Sequence, residues 1–313
     1  MIEAVFEDLD LKRRVLLETE AATADNVIFA TNTSTIPIAE IAAEAARPAQ
    51  VLGMHFFSPV DRMPLLEIIP TEHTSAEAVV TALHFGRKMG KTVIVVRDRP
   101  GFWVNRILTP YMNEAGFILG EGVPMEVIDR VMTRFGFPVG PITLLDEVGI
   151  DVAEKAGKVM HQAFGERLAP ADLVGKVIKS GRLGRKNGKG FYLYHAGQRT
   201  GPDEAVYDLL GIRPIRPDST ELIEQRLVYS MLNEAAMAVG EGVVRSPRDG
   251  DIGAIFGIGY PPFRGGPLRY IDDLGAASVV RVLRELETRY GARFAPSPTL
   301  VDLAEQGGRF YSD

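Results

Sequence analysis

Cysteine is absent from the 313-residue chain, and long hydrophobic runs are absent as well. Without cysteine the chain can form no disulfide bond and no thiolate metal site, and it has no cysteine nucleophile. No apolar stretch approaches the ~18 residues that a transmembrane helix needs, and no signal-like segment precedes the first acidic residues. We therefore expect a protein without a membrane span, in a reducing, cytoplasmic location.

Positive charge is also in deficit, because 35 lysines and arginines face 41 aspartates and glutamates and leave a formal net charge of -6. This balance argues against nucleic acid or an anionic membrane as a general partner. Hydrophobic residues make up 46% of the chain, which is enough to bury ordinary cores. The length suggests about two domains.

Strand-like and helix-like patterns alternate over the first hundred residues, which predicts a largely parallel α/β sheet. From residue 102 onward the periodicity becomes helical and a repeat appears. The sequence RILTPYMNEAGFILGEGV at 106–123 returns as RLVYSMLNEAAMAVGEGV at 226–243, and a looser match links 135–149 to 258–275. Such self-similarity indicates a duplicated helical unit.

These patterns predict a partial Rossmann-like α/β sheet followed by two repeated all-α helical domains. The segment between the two copies is rich in glycine, proline and aspartate, which is typical of a linker. The predicted boundaries are 1–100 for the sheet domain, 101–196 for the first helical repeat, 197–221 for the linker and 222–313 for the second repeat.

The predicted sheet domain has no glycine-rich phosphate loop. A doubly wound nucleotide-binding sheet normally opens with a strand, a G-x-G-x-x-G turn and a helix whose N-terminus binds pyrophosphate. No such motif follows a strand near the start. The stretch GRLGRKNGKG at 181–190 lies between helical segments, so a basic turn is favoured there over a phosphate site. We expect a chain that starts midway through a sheet domain.

His55 and Glu67 lie in two apolar runs, with prolines 59 and 64 between them. The runs should pair as antiparallel strands and place His55 directly opposite Glu67 on one face. A carboxylate that binds one imidazole nitrogen fixes the tautomer and leaves the other nitrogen free to exchange protons. A purely structural hydrogen bond fits these residues equally well, so both interpretations stay open at this point.

Two further groups of polar residues lie near this pair in the predicted fold. The sequence ATNTST at 30–35 ends a strand at the carboxyl edge of the sheet, where ligands bind in open α/β folds, although such residues also cap helices. Asn105 lies in the first turn of the helix that opens the helical region. Ordinary helix-start chemistry explains Asn105, but domain junctions are also where substrates and cofactors meet.

Seven motifs, from residue 2 almost to the C-terminus, resemble those of the 3-hydroxyacyl-CoA dehydrogenase family and occur in the family's order. They are IEAVFEDLDLKRRVL, FATNTSTIPI, GMHFFSPVDRMPLLEII, RPGFWVNRIL, FGFPVGP, GRLGRKNGKGFY and GDIGAIFGIGYPPFRGGP. More narrowly, they resemble the dehydrogenase part of the multifunctional α subunit of fatty-acid β-oxidation. The resemblance implies an NAD-dependent oxidation of (3S)-3-hydroxyacyl-CoA to 3-oxoacyl-CoA.

The resemblance also implies roles for individual residues. His55 corresponds to the catalytic base and Glu67 to its partner, while Ser34 and Asn105 correspond to the residues that bind the reacting oxygen. Ser58 follows HFF where monofunctional members usually have asparagine, as in the multifunctional branch. No metal ligands are expected. The residues expected to contact NAD are Glu7, Lys12, Asn32 and Ser58.

The expected partners are a 3-hydroxyacyl-CoA substrate, a thiolase subunit as in the multifunctional complexes, and a second copy of the chain in a homo-oligomer. Because the family's glycine-rich NAD loop has no counterpart here, we expect weak NAD binding or none. One alternative is a non-catalytic fragment that serves as a packing module. Another is an acyl-CoA hydrolase with a Ser34, His55 and Glu67 triad, but Ser34 lacks the G-x-S-x-G elbow that exposes such a nucleophile.

Overall fold

The computed structural model describes residues 1–311, which form a five-stranded sheet with flanking helices and a larger helical region. The sheet region contains β1 (Ile2–Glu3), α1 (Leu9–Ala22), β2 (Phe29–Thr31), α2 (Ile38–Ile41), β3 (Val51–Phe56), β4 (Leu65–Pro70), α3 (Ala76–Lys88) and β5 (Thr92–Val95). The strands lie in the order β1-β2-β3-β4-β5. All neighbours are parallel except β3 and β4, which form the predicted antiparallel pair.

The two faces of the sheet pack against different partners, because successive side chains of a strand point to opposite sides. Leu52 and Met54 of β3 point into a small core that α3 covers. Gly53 points the other way, where a Cβ would lie 2.7 Å from the Cδ1 atom of Ile38 in α2. His55 shares the face of Gly53, so the sheet presents it toward α2 and the helical region rather than toward α3.

The helical region begins at α4 and contains one hairpin. Its elements are α4 (Val104–Gly120), α5 (Met125–Phe135), α6 (Pro141–Val148), α7 (Ile150–Phe164), α8 (Val174–Lys179), β6 (Tyr192–His195), β7 (Gln198–Pro202), α9 (Ala205–Leu210), α10 (Thr220–Gly240), α11 (Pro247–Ile258), α12 (Pro267–Leu274), α13 (Ala276–Tyr290) and α14 (Pro298–Gln306). We call α4–α8 the first helical unit and α10–α14 the second. None of the helices in residues 1–311 is long and apolar enough to cross a bilayer.

The two helical units face each other along α4 and α10, the helices whose sequences repeat. Arg106 of α4 binds Glu234 of α10 at 2.5 Å and Glu241, just beyond α10, at 2.8 Å. The same contacts recur in reverse across the pair, as expected for a duplicated unit. The reverse contacts join Arg226 of α10 to Glu114 and Glu121.

A second repeated feature confirms the equivalence of the two units. Asp129 accepts a hydrogen bond from the backbone N–H of Ile142 at the start of α6, at 2.8 Å. Asp251 accepts the equivalent bond from Leu268 at the start of α12, also at 2.8 Å. Each carboxylate thus caps a proline-led helix of its own unit. The tyrosines that bind these two carboxylates are Tyr192 and Tyr311.

The segment 197–221, predicted as a linker, contains β7 and α9. Val206 and Tyr207 of α9 are buried, and the hydroxyl of Tyr207 accepts a 2.9 Å hydrogen bond from the N–H of Met125. Three buried side chains, Val206, Tyr207 and Leu210, pack this short helix against the first unit. The predicted domain boundaries stay a prediction.

Candidate active site

The predicted pair of His55 and Glu67 is formed in the structure. The β3–β4 register places the two residues opposite each other, and His55 Nδ1 lies 2.7 Å from Glu67 Oε2. Glu67 is fully buried, and His55 is 3% exposed. The rings of Phe57 and Phe102 lie 4.5 and 5.6 Å from the imidazole and confine it from two sides. With Nδ1–H donated to the carboxylate, Nε2 is the nitrogen left to exchange a proton.

The start of α4 binds the other oxygen of Glu67. The backbone N–H groups of Trp103 and Val104 donate to Oε1 at 3.2 and 3.1 Å. The first N–H groups of a helix lack partners within the helix and carry its positive dipole end, so they stabilise an ionised carboxylate. Glu67 therefore has both oxygens engaged, one by the imidazole and one by the first helical unit. Sequence reasoning predicted the pair but not this backbone support.

The loop after β2 lies beside the end of β3. The side-chain oxygen of Asn32 accepts a 2.9 Å bond from the N–H of Phe56, which follows His55. Asn105 of α4 donates its amide N–H to the backbone oxygen of Ser34 at 3.0 Å. The structure thus brings Asn32, Ser34 and Asn105 to the strand ends that carry the His–Glu pair. Asn105 thus joins α4 to the loop after β2, and its role in binding a ligand stays a prediction.

The alternative role of the ATNTST segment as a helix cap does not hold for Ser34. The N-terminus of α2 is capped by Asp98, whose carboxylate accepts from the N–H groups of Ile38 and Ala39 at 2.8 and 2.7 Å. In residues 1–311 no hydrogen bond engages the Ser34 hydroxyl. The expected role of Ser34 in binding the reacting oxygen stays a prediction.

Glu7 anchors the same loop from the other side. Its Oε1 accepts from the Thr33 hydroxyl at 2.7 Å and from the backbone N–H of Ser34 at 3.0 Å. Burial alone would raise the pKa of Glu7, but these hydrogen bonds and the charge of Lys12 outweigh it and lower the pKa. The carboxylate therefore stays ionised near neutral pH. Glu7 shapes the loop directly, and its expected contact with NAD stays a prediction.

Lys12 differs from the expectation. Its side chain is fully buried, and its ammonium group lies 2.9 Å from one oxygen of Glu3 and 3.6 Å from Glu7. The structure makes Lys12 an internal counter-ion that fixes Glu3 and Glu7, with no exposed surface for a cofactor. Ser58, by contrast, is exposed in the loop that follows β3. A role of Ser58 in binding NAD stays a prediction.

Within residues 1–311 no cluster of three or more metal-ligating side chains forms. A histidine whose Nδ1 is engaged by a buried carboxylate is suited to proton transfer at Nε2, and the roles of His55, Ser34 and Asn105 in such chemistry stay predictions. Residues 1–99 match the NAD-binding domain of 3-hydroxyacyl-CoA dehydrogenases, and residues 101–194 and 223–309 match the C-terminal domain of the same enzymes. The chain belongs to the 3-hydroxyacyl-CoA dehydrogenase family. It is an NAD-dependent oxidoreductase.

Solved structures of other 3-hydroxyacyl-CoA dehydrogenases are similar over long stretches. The 3-hydroxybutyryl-CoA dehydrogenase of Escherichia coli K12 matches with a TM-score of 0.83 and 28% identity, over 97% of this chain and 81% of that one. The dehydrogenase part of C. elegans multifunctional enzyme 1 matches with a TM-score of 0.65 and 28% identity, over 96% and 70%. (S)-3-Hydroxybutyryl-CoA dehydrogenase from Ralstonia eutropha is 40% identical over 62% of this chain and 70% of that one, with a TM-score of 0.59.

The polar groups of this dehydrogenase gather at one edge of the sheet. Asn32, Ser34 and Asn105 lie at the carboxyl edge of β2 and β3, the edge at which ligands bind in open α/β sheets. Their contacts with NAD or substrate stay predictions. The turn from β1 to α1 runs through residues 4–8, which include no glycine. Across residues 1–311 no G-x-G-x-x-G turn brings a helix N-terminus to that edge, so a phosphate cradle of that type is not seen there.

Proposed function

We propose that the chain catalyses the oxidation of (3S)-3-hydroxyacyl-CoA to 3-oxoacyl-CoA, with His55 as the base. The observation that carries the proposal is the buried 2.7 Å contact between His55 and Glu67, whose second oxygen is held by the start of α4. A histidine with a purely structural hydrogen bond would not need its second ring nitrogen free at the carboxyl edge of the sheet, where ligands bind. Here Nδ1 is engaged and Nε2 is left for the substrate hydroxyl, which is the arrangement that a general base requires.

The proton steps follow from these contacts. His55 Nε2 takes the proton of the 3-hydroxyl group, and the imidazolium that forms keeps its Nδ1–H on Glu67. The negative charge of Glu67 stabilises that imidazolium and fixes the ring orientation. NAD supplies the acceptor for the hydride that leaves C3 of the substrate. Phe57 and Phe102 exclude water around the imidazole, which strengthens its interaction with Glu67.

Ser34 and Asn105 would hold the reacting oxygen of the substrate. The 3.0 Å bond from Asn105 to the Ser34 backbone oxygen fixes the two residues relative to each other. The second N–H of the Asn105 amide and the hydroxyl of Ser34 would then both donate to that oxygen. In the reduction direction, such donors stabilise the negative charge that develops on the substrate oxygen. In the oxidation direction, they orient the substrate hydroxyl.

For NAD we propose contacts from Asn32, Ser58 and Glu7 at the nicotinamide side. Lys12 would support these contacts only through Glu7, because its own side chain is buried. Without a glycine-rich turn in the described residues, the pyrophosphate gains little stabilisation. We therefore propose that the chain by itself binds NAD weakly and shows limited turnover.

The wider context is part of the proposal. A role in fatty-acid β-oxidation with a thiolase subunit as a partner rests on the sequence motifs, and one relative is described as the dehydrogenase part of a multifunctional enzyme. Other relatives are described as 3-hydroxybutyryl-CoA dehydrogenases, which supports acetoacetyl-CoA as a test substrate. A cytoplasmic location and a homo-oligomeric state stay predictions from the sequence.

The acyl-CoA hydrolase alternative gains no support. In residues 1–311 no hydrogen bond joins the Ser34 hydroxyl to His55, although a serine nucleophile needs its base within reach. One assay separates the three functions: NADH oxidation and free-CoA release are followed with acetoacetyl-CoA at high NADH. The dehydrogenase consumes NADH and releases no CoA. Release of CoA without loss of NADH would indicate the hydrolase. The absence of both signals would indicate the non-catalytic packing module.

A further inference from the structure

Trp103, the chain's single tryptophan, lies at the junction of the sheet and both helical units. Its backbone N–H donates to Glu67 at 3.2 Å, while its indole N–H donates to the backbone oxygen of Gly250 in α11 at 2.8 Å. The side chain is fully buried. Trp103 therefore links the buried carboxylate of the catalytic pair to a helix of the second unit, 147 residues further along the chain.

The surface of α11 that receives the indole is made of glycines. A Cβ on Gly250 would lie 2.8 Å from Cζ2 of Trp103, and one on Gly253 would lie 2.7 Å from Cδ1. Real Cβ atoms do not approach carbon atoms this closely, so either substitution requires the indole to move. Gly250 and Gly253 of the GDIGAIFG stretch thus form a flat surface on α11, called the glycine seat below, against which the indole of Trp103 packs.

The backbone that leads into this helix adopts a conformation that needs external support. Gly101 has φ 74°, and Phe102, a non-glycine residue, has φ 49° in the left-handed region. A bulky residue keeps such a φ only where its surroundings determine it. Phe102 is fully buried against His55, and Trp103, which follows it, is fixed by α11. This turn aims the N–H groups of Trp103 and Val104 at Glu67.

We propose that Trp103 is a positioning residue: its indole, locked into the glycine seat, holds the helix N–H groups on Glu67 and so orients His55. The second helical unit thereby sets the geometry of the proton couple without touching the substrate. Arg106, one turn further along α4, ties the same helix to Glu234 and Glu241 and supports the arrangement. The proposal rests on the proposed function of His55 as the base, and it concerns the alignment of that base.

The test uses two variants that disturb the glycine seat from opposite sides. Trp103→Phe keeps an aromatic ring but removes the N–H donor, and Gly250→Ala forces the intact indole to shift. Gly240→Ala is the matched control, because its Cβ would crowd Thr299 in the same helical unit, away from Trp103. Thermal unfolding of all three shows which effects follow from stability alone.

The decisive readout needs no cofactor. An imidazole N–H donated to a carboxylate gives a proton NMR signal far downfield of the amide region, which His55→Gln identifies by its loss. We expect this signal to shift or broaden in Trp103→Phe and Gly250→Ala and to persist in Gly240→Ala. The kcat/KM for acetoacetyl-CoA should fall about tenfold in the first two variants, because a small displacement of a catalytic group slows the reaction strongly. In Gly250→Ala the emission of the sole tryptophan should also change.

Two results would overturn the positioning role. One is an unchanged His55 signal in both seat variants; the other is an equal change in Gly240→Ala, which would indicate general destabilisation. The outcome is separable from that of the proposed function. A wild-type chain that shows the downfield signal but no NADH-dependent turnover contradicts the dehydrogenase assignment, and the NMR comparison still decides the role of Trp103.

Discussion

At the scale of single residues, the account depends on how Glu67 divides its two oxygens. Oε2 accepts from the imidazole and Oε1 accepts from two backbone N–H groups. Both oxygens of the buried carboxylate are therefore hydrogen-bonded within the protein. A buried charge is tolerated only when it is hydrogen-bonded in this way. The imidazolium formed in catalysis then meets a fixed negative charge instead of mobile solvent.

Glu67→Gln tests this division of roles. The amide keeps its volume and can still accept from the helix, but it offers no negative charge to the imidazolium. We expect kcat/KM for acetoacetyl-CoA to fall by ~10²–10⁴, with a smaller change in stability. Glu72→Gln, an exposed change five residues away, is the control. Turnover within about twofold of wild type in Glu67→Gln would return the pair to a structural role.

The sequence predicted the positions of some of these residues but not of others. His55 and Glu67 could be paired because prolines mark the turn between two apolar runs and the strand register follows by symmetry. The burial of Lys12 could not be predicted, because nothing local shows that Glu3 comes to lie beside it. The N–H groups that hold Glu67 are equally invisible, since every residue has one and only the fold decides where it points.

At the scale of elements, α4 and α10 form the central contact of the helical region. The paired sequences predicted that these helices are equivalent, and the reciprocal ion pairs around Arg106 and Arg226 follow from that equivalence. The short helix α9 was not predicted, because tertiary packing of a few apolar residues decides it rather than a long periodic pattern. The internal repeat therefore predicted the structure of the helical region better than the local composition did.

The ion pair between Arg106 and Glu241 should make stability depend on pH. The hydrogen bond and charge of Arg106 lower the pKa of Glu241 below its ordinary value of 4.5. A lowered carboxylate pKa contributes stability above pH 4.5, and this contribution is lost as the pH falls through the folded-state pKa. Because Glu241 is partly exposed, solvent screens the pair and the contribution is only ~0.5–1 kcal/mol.

Chemical denaturation of Glu241→Gln at two pH values measures this contribution. We expect the variant to be less stable than wild type by that amount at pH 7, and this deficit should shrink as the pH is lowered from 4.5 toward the folded-state pKa. Glu305→Gln, on the exposed side of α14, should show no comparable difference at either pH. A deficit in Glu241→Gln that persists unchanged at the acidic pH would show that the charge of Glu241 is not what stabilises the contact.

At the scale of the whole molecule, three parts of the chain assemble one site. The sheet supplies His55 and Glu67, the first helical unit supplies Asn105 and the N–H groups of α4, and the second unit supplies the glycine seat for Trp103. A site built this way is rigid, because one continuous hydrophobic core packs the sheet and both helical units together. We propose that its weak point is the cofactor, because the contacts expected for NAD lie on the nicotinamide side alone.

Calorimetric titration of the chain with NAD tests this weakness. Without a helix N-terminus for the pyrophosphate, we expect a Kd of about 1 mM or weaker. Nicotinamide mononucleotide, which lacks the adenosine half, should then bind almost as well as NAD. Micromolar binding of NAD with a large advantage over the mononucleotide would show that another part of this chain provides a phosphate site.

The proton couple itself is tested by the rate of NADH loss with acetoacetyl-CoA, measured over a range of NADH concentrations in wild type and His55→Gln. If NADH binds weakly, as we propose, the wild-type rate should rise with NADH concentration without saturating, and its slope reports kcat/KM. The account predicts a slope ~10²–10⁴-fold lower in His55→Gln, with the fold and the affinity for NADH unchanged. Equal slopes for the two proteins, or no acetoacetyl-CoA-dependent loss of NADH in wild type at any concentration, would contradict it.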